Sequence, residues 1–548
     1  MSANSAIYNP SQTTSAATGD GFSVPRLTTT GRLAITFTTA DKGMMVYDTT
    51  LNNLFIWNGS AWESVPASGD SSNTQVIFND NGILAGDSGL TYAKTAQRLT
   101  VTGNIDIWNG ANATNTNIAV GRDALGSTAA GAGANTAVGR QAGRSVLTAS
   151  NNAFFGYQAG FGTATGGGNV AVGSGALFTA SAGTDNTAVG NLSLGSATGN
   201  QNTSVGANSG GLLTTGGNNS FFGLAAGYGI TTGNTNVAVG FNAFNKLGVN
   251  PHSGSSNVAI GNSAMYSNNG VSGDDNIGIG RSTFSNLSSG GSNIGVGEFA
   301  LTAATTGSFN ISLGRLSMQN MINGDYNVAV GFSALNRSNS ASYNIAVGVN
   351  AGRSITSGID NIAIGDLALG NDGTFCTGND NIAIGRNAIY GNNNTSGNNN
   401  IAIGDNTLPN LTTGQFNVAV GRLAQAGLFD GLNNVAVGVS TLQVNVSGSN
   451  QTAVGYAALT SSTGNNNTAI GGGAGSVQTA GDSNIFLGVN SRGPNLNDSN
   501  QICIGSSGQW VGTNGAPNTY YGAAGASLGY WRVVINGTTR KIQVYADV

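Results

Sequence analysis

Apolar residues in the middle of this chain come in bursts of about three, most opened by Asn and all closed by Gly, as in Asn117-Ile-Ala-Val-Gly121, Asn169-Val-Ala-Val-Gly173, Asn327-Val-Ala-Val-Gly331 and Asn361-Ile-Ala-Ile-Gly365. The closing glycines fall at 121, 139, 156, 173, 190, 206, 223, 240, 261, 280, 297, 314, 331, 348, 365, 385, 404, 421, 438, 455, 471, 488 and 505. Of the 22 intervals, fifteen are seventeen residues, two are sixteen and five are longer. A register held this long is a structural repeat.

The outer two residues of each burst lie two apart and share one face of a strand, while the small residue between them faces the other way. Both faces are apolar, so the strand is expected to be covered on both sides. Glycine ends the strand where the chain bends or passes close to a neighbour. Three residues on, a second small residue recurs (Ala124, Ala142, Ala159, Ala176, Ala334, Ala368), often followed by Leu, Phe or Gly. This reads as a second, shorter strand or a bend. The remainder is polar, as in Thr231-Thr-Gly-Asn-Thr235, and forms an outer turn. Seventeen residues suit one coil of an all-β, parallel β-solenoid of about 23 coils; a helix-pair repeat would need over thirty. The recurring Asn either bonds in a ladder from coil to coil or sets the turn.

The Asn-Val-Ala-Val-Gly and Asn-Ile-Ala-Ile-Gly units resemble the head repeats of trimeric autotransporter adhesins. That resemblance implies a left-handed β-roll-like coil and packing of three chains, although the family's coils are somewhat shorter. The flanks are unlike that family. Gly21-Phe-Ser-Val-Pro-Arg26, Arg32-Leu-Ala-Ile35, Gly43-Met-Met-Val-Tyr-Asp-Thr49 and Leu54-Phe-Ile-Trp-Asn-Gly-Ser-Ala-Trp62 resemble a segment of bacteriophage tail-fibre proteins. Here Met44 to Asp48 and Asn53 to Trp57 read as strands about a Thr-Leu-Asn turn, with Trp57 and Trp62 packing a small cap. Residues 73–106 are similar to a segment of phage virion proteins and read as short strands with Asn-Gly and Gly-Asp turns. The expected organisation is a virion-attachment-like β segment at 1–66, a short β connector at 67–112, the shaft at 113–507 and a β-hairpin cap or tip at 508–548. The hairpin turns at Asn536-Gly537. Small β caps at both ends would protect the terminal coils.

Composition narrows the function. Charged residues are 8% of the 548, the net charge is −4, glycine numbers 88 and proline 7. Collagen requires far more proline and a three-residue period. Lysine occurs only at Lys42, Lys94, Lys246 and Lys541, and arginines are scattered, so no basic patch suits nucleic acid. There is no run of about 18 apolar residues for membrane insertion and no basic-then-apolar leader at Met1-Ser2-Ala3-Asn4-Ser5. Cys376 and Cys503 fall several coils apart, too far for a bridge, and are expected to be buried or half-buried.

Chemistry is sparse. His252, the only histidine, sits in an over-long turn and is expected at the surface rather than in catalysis. No cofactor motif or His/Cys metal cluster is present. Acidic residues at Asp274-Asp275, Asp325, Asp380 and Asp482 suit turn chemistry better than a calcium site. The expectation is a non-enzymatic homotrimeric virion fibre, made in the host cytoplasm. Its N-terminal region would bind other virion proteins, and its far end a host-surface glycan or protein. Trp510, Tyr520, Tyr521, Tyr530 and Trp531 are candidate receptor contacts, with a buried cap as the competing reading. The longer turns near 245–256, 266–275, 370–380 and 390–399 are further candidates for specificity. A head or tail decoration, a depolymerase and a cellular adhesin are the alternatives.

Overall fold

The computed structural model describes residues 24–36, 38–65, 116–127, 132–179, 182–246, 250–268, 270–370, 375–391, 395–493 and 495–505, together with the backbone of strands at 75–108 and 512–545. The chain divides into two compact units, Met1–Trp108 and Asn109–Val548.

In the first unit, β1 (Arg26–Leu27) lies parallel to β2 (Met45–Asp48), which pairs antiparallel with β3 (Asn53–Trp57), and β3 with β4 (Trp62–Ser64). The two strands about Thr-Leu-Asn are as expected, and the Trp57 and Trp62 rings meet edge-on with centroids 5.8 Å apart. A short helix, α1 (Thr29–Leu33), brings Arg32 to Asp48 at 3.0 Å. Burial pushes the Asp48 carboxyl up, but hydrogen bonds from the Leu51 N–H, Arg32, Thr29 and the Thr50 N–H outweigh it and hold the group at about 2. The Arg32 guanidinium also covers the Phe55 ring at 3.7 Å. An antiparallel meander follows, of β5 (Gln75–Asp80), β6 (Ile83–Ala93), β7 (Arg98–Val101) and β8 (Ile105–Trp108). Gly86-Asp87, expected to be a turn, lies inside β6, where the register with β5 shifts.

The second unit is a parallel β-solenoid. Among the described residues, 23 short strands run from Ile118–Val120 to Gln501–Ile504. Each pairs in parallel with the next, residue for residue: Val170 with Thr187, Ala171 with Ala188, Val172 with Val189. At about 4.8 Å per step, 22 steps make a stack roughly 105 Å long. The segment after each closing glycine is a bend, not a second strand. It still bonds from coil to coil, as in Leu125 N–H to Ala142 C=O and Gln141 N–H to Arg122 C=O.

The small central residue of each strand faces the coil interior: Ala171, Ala329 and Ala346 are fully buried. Opposite it stands the fourth residue after the glycine, such as Leu125, Leu177 or Phe244, also fully buried. Those side chains occupy left-handed backbone, with φ near +50°. The strain costs about 1 kcal/mol per residue; burying Leu or Phe returns about 1.5–3 kcal/mol, so burial wins. Where the central residue is Phe154 or Phe221, the partner position holds Gly160 or Gly227, and a Cβ there would overlap the ring. Where one of the two positions is large the other is small; where both are small, as at Ala137–Gly143 and Ser204–Gly210, the Phe154 or Phe221 ring of the next coil reaches into the space.

The leading Asn forms the ladder. Asn135 N–H donates to Asn117 Oδ1 at 2.8 Å, its Nδ2 donates to the same oxygen at 3.1 Å and to Ala149 C=O at 2.9 Å. Asn152, Asn327 and Asn361 repeat the scheme, each buried. The left-handed turn position is instead the residue before this Asn, as at Ser256 (φ 58°) and Asp275 (φ 60°). Gly173 shows why the closing residue is invariant in type along the array. Its φ is 130°, and a Cβ would sit 2.6 Å from the Gly190 carbonyl oxygen of the next coil.

At the C-terminal end, Gly512–Thr513 pairs antiparallel with Gln501–Ile504, supplying hydrogen-bond partners to the edge of the last coil. Ser527–Ile535 and Thr538–Tyr545 form the expected hairpin pair, with Ile535 opposite Thr538; Asn536-Gly537 itself lies outside the described residues.

Candidate interaction surface

With the central residue turned inward, the two flanking residues turn outward. Val172, Ile279, Ile311, Leu313, Ile345, Val347, Ile364 and Val437 are 36–39% exposed. This face carries Val, Ile, Leu, Phe, Ala, Thr or Ser in every coil and no charge in any. Two residues span about 6.8 Å along a strand, so over about 105 Å the stripe covers roughly 700 Å². The largest apolar patch on a typical monomer is about 300–600 Å². The stripe therefore has the character of a surface meant to be covered.

It is widest over three consecutive coils. The residue before the ladder Asn is polar or small nearly everywhere, as the left-handed backbone favours. At Phe309, Tyr326 and Tyr343 it is aromatic, with φ of 55–60°. These rings stack in a column, centroids 4.9 and 5.0 Å apart and planes within 3° and 11°, and each is about half exposed. They flank Ile311, Val328 and Ile345 and broaden the apolar face. Sequence reasoning missed them, although aromatics at seventeen-residue spacing in an Asn/Asp/Ser position were the signal. One residue past the closing glycine, charges alternate: Glu298 pairs with Arg281 and with Arg315 (3.0 Å), and Arg386 with Asp405 (3.0 Å).

The acidic residues serve the turns. Asp274 Oδ1 accepts the Ser255 N–H at 2.7 Å, Asp325 the Ser308 N–H at 2.7 Å and Asp482 the Asn465 N–H at 2.6 Å, each from the preceding coil. Asn234 and Asn398 do the same for Gly217 and Asn379. Among the described residues, no group of three His, Cys, Asp or Glu is placed to hold a metal ion.

His252 is not at the surface. Its side chain is fully buried, stacked on Phe244 with centroids 5.2 Å apart. Nδ1 accepts the Val271 N–H at 2.7 Å, and Nε2 lies 2.9 Å from the Asn245 carbonyl, to which it donates. Both bonds require the neutral Nε2–H ring, and burial pushes its pKa down to about 4. The reason for the misreading is that the longer turn folds inward against its neighbour: Ile230 bridges to His252 and Lys246 to Ser267. Cys376 and Cys503 are free, buried thiols, both pushed up to about 12 by burial, and Cys503 takes the place of the inward Ala.

Of the candidate tip residues, Trp510, Tyr520 and Tyr521 lie outside the described residues. Tyr530 and Trp531 fall on the strand Ser527–Ile535, pairing with Gln543 and Ile542. No helix among the described residues is long and apolar enough to cross a membrane.

Comparison with known families matches residues 5–80 to the phage tail like trimerisation region. The described part of that match is the β1–β4 sheet with α1, and strand β5 (Gln75–Asp80). No curated protein and no solved structure matches the chain. A trimerisation region of this kind followed by a β-solenoid fits a phage tail-fibre protein.

Proposed function

We propose that this chain is the subunit of a homotrimeric bacteriophage tail fibre that carries host-surface recognition at adsorption. The carrying observation is the trimerisation-region match at residues 5–80 joined to a solenoid with an uncharged apolar face. Trimerisation at one end raises the effective concentration of the three solenoids to the millimolar range. The stripe, widened by Phe309, Tyr326 and Tyr343, then supplies the surface along which they pack. The same match supports a structural, non-enzymatic role and a place in the virion. The N-terminal region is proposed as the end joined to other virion proteins, and the aromatic tip as the distal end, with Trp510, Tyr520, Tyr521, Tyr530 and Trp531 as host contacts.

The test is the mass of the purified chain by light scattering, beside a Val330→Asp, Val347→Asp double variant. The wild type should have three times the chain mass of 54.6 kDa, and the variant, still joined through the trimerisation region, should keep that mass and its β circular dichroism while its solenoids separate, read as a larger hydrodynamic radius. A monomeric wild type would refute the trimer. Particles lacking the protein that adsorb normally would point to a decoration or spacer instead.

A further inference from the structure

The fifth residue after each closing glycine forms a column along the turn side of the coils. In the early coils the column is aromatic. The Arg144 guanidinium lies 5.8 Å from the Phe161 ring centroid, and Phe161 stacks on Phe178 at 5.1 Å with planes 16° apart. The next two rungs are Gly195 and Gly211, and the one after is Tyr228. The Tyr228 ring lies back over Gly211, within 2.9 Å of where a Cβ would stand. Gly195 is different: a Cβ there would meet only its own turn, nearest the Leu192 carbonyl oxygen at 3.3 Å. One rung of the aromatic column is therefore missing. The gap is a cleft of about 240 Å³ between Phe178 and Tyr228, with Leu192 on one side and Thr179, Ser196 and Asn208 at its polar margin.

Two coil steps separate the Phe178 rung from the Gly211 rung, roughly 9–10 Å. A single saturated six-membered ring in contact with an aromatic face on each side occupies about 8–9 Å, at about 4–4.5 Å per contact. The gap thus takes one ring. A pyranose presents C–H groups to the aromatic faces and hydroxyls at its rim, matching apolar walls with hydroxyl and amide groups at the margin. No charged side chain lines the cleft, which favours a neutral sugar over an acidic one. No strand residue lines it either, so packing of chains through the strand face does not use it.

We infer that this cleft binds one neutral hexopyranose ring of a cell-surface polysaccharide, clamped between Phe178 and Tyr228. The inference rests on the proposed role in host recognition and places a binding site in coils of ordinary length, apart from the tip. Phe161 and Phe178 occupy the position equivalent to Gly195, so Gly195→Phe fills the gap with a side chain that the same turn already accommodates.

The test uses the full chain and a panel of neutral gluco-, galacto- and manno-oligosaccharides, read by saturation-transfer NMR and titration calorimetry. Binding of at least one series is expected, with a loss of tenfold or more in Gly195→Phe at unchanged melting temperature, and a similar loss in Phe178→Ala. Absence of binding by the whole panel, affinity in Gly195→Phe within twofold of wild type, or binding of an aromatic peptide in place of every sugar would overturn it. Labelled protein applied to a panel of bacterial strains separates the two readings. Wild type and Gly195→Phe decorating the same cells equally would sink the cleft and leave host recognition standing. Decoration of no strain would count against host recognition itself.

Discussion

Replacing Asn327 by Ala tests whether the Asn ladder holds the coils together. Asn327 Oδ1 accepts the backbone N–H of Asn344 at 3.0 Å and the Asn344 Nδ2 at 3.1 Å. Its own Nδ2 donates to Asn310 Oδ1 at 3.0 Å and to Ala341 C=O at 2.8 Å. In Asn327→Ala, Asn310 Oδ1 keeps the Asn327 backbone N–H, also at 3.0 Å, and Asn344 Nδ2 keeps Gly358 C=O at 2.9 Å. Two groups lose their ladder partner: the buried Asn344 N–H and the Ala341 carbonyl. Each orphaned group costs about 1–3 kcal/mol, so the variant should lose about 4 kcal/mol locally. Stability in a solenoid is a sum of neighbouring terms, so a local probe is the right one. Hydrogen exchange of peptides spanning residues 327–347 should accelerate about a thousandfold at 1.4 kcal/mol per decade. Asn433→Asp, an exposed change in the same turn of another coil, should stay within about 0.5 kcal/mol. Asn327→Asp should be worse than Ala at pH 7, because a carboxylate would face Asn310 Oδ1 and the Ala341 carbonyl, and should recover toward pH 4 as it protonates. Acceleration of less than tenfold in Asn327→Ala would refute the ladder as a source of stability.

Acid should loosen the turn around His252. Its folded pKa of about 4 lies below the usual 6.5, so the neutral ring's contribution is complete above pH 6.5 and is lost as pH falls toward 4, about 3 kcal/mol in all. Protection factors at 250–271, with exchange taken relative to the intrinsic rate at each pH, should fall between pH 6 and 4 in wild type and stay flat in His252→Phe. Gln451 stands where a ladder Asn belongs; its Oε1 accepts from Ser462 and its buried Nε2 has no partner. Gln451→Asn should therefore stabilise the neighbouring coils by about 1–2 kcal/mol, seen as slower exchange at 465–470. Gly173→Ala combines a forbidden φ with a backbone overlap and should cost more than about 3 kcal/mol. Gly472→Ala, with nothing within 4 Å, should leave the melting temperature unchanged.

The coil was legible because its physics repeats: each turn of chain meets the same neighbours, so the same residues recur seventeen apart. What repeats identically in sequence does not say which way it faces. Val172 is more hydrophobic than Ala171, yet Ala171 is inside, because the coil is thin and its interior is already filled from the opposite wall by residues such as Leu177. Asn served equally well as ladder or turn former on paper; the turn conformation in fact falls one residue earlier, at positions such as Ser256. The Phe154–Gly160 and Phe221–Gly227 exchanges were visible as separate irregularities, but their common cause is volume conservation within one layer. Of the surface, the Phe309–Tyr326–Tyr343 column could be read from spacing. The Phe178–Tyr228 cleft could not, since it depends on how Tyr228 leans over Gly211.

The longer coils show the same constraint from the other side. The enlarged intervals 240–261 and 261–280 are neighbours, and so are 365–385 and 385–404. A turn that swells in one coil alone would leave its backbone groups without the partners that every ordinary turn finds in the next coil. Paired swelling removes the difficulty, because each enlarged turn finds another beside it. Lys246 bridges to Ser267 across the first pair, and Cys376 to Thr395 across the second. The edges toward the preceding ordinary coils rejoin the stack through backbone bridges at buried residues: Ile230 pairs with His252, and Ile355 with Cys376. The lone histidine and the cysteine outside the strand ladder thus stand where an enlarged turn returns to the regular stack. Their burial is a structural consequence of the insertion, and both are chemically quiet for that reason, His252 as a fixed neutral ring and Cys376 as a thiol pushed up to about 12.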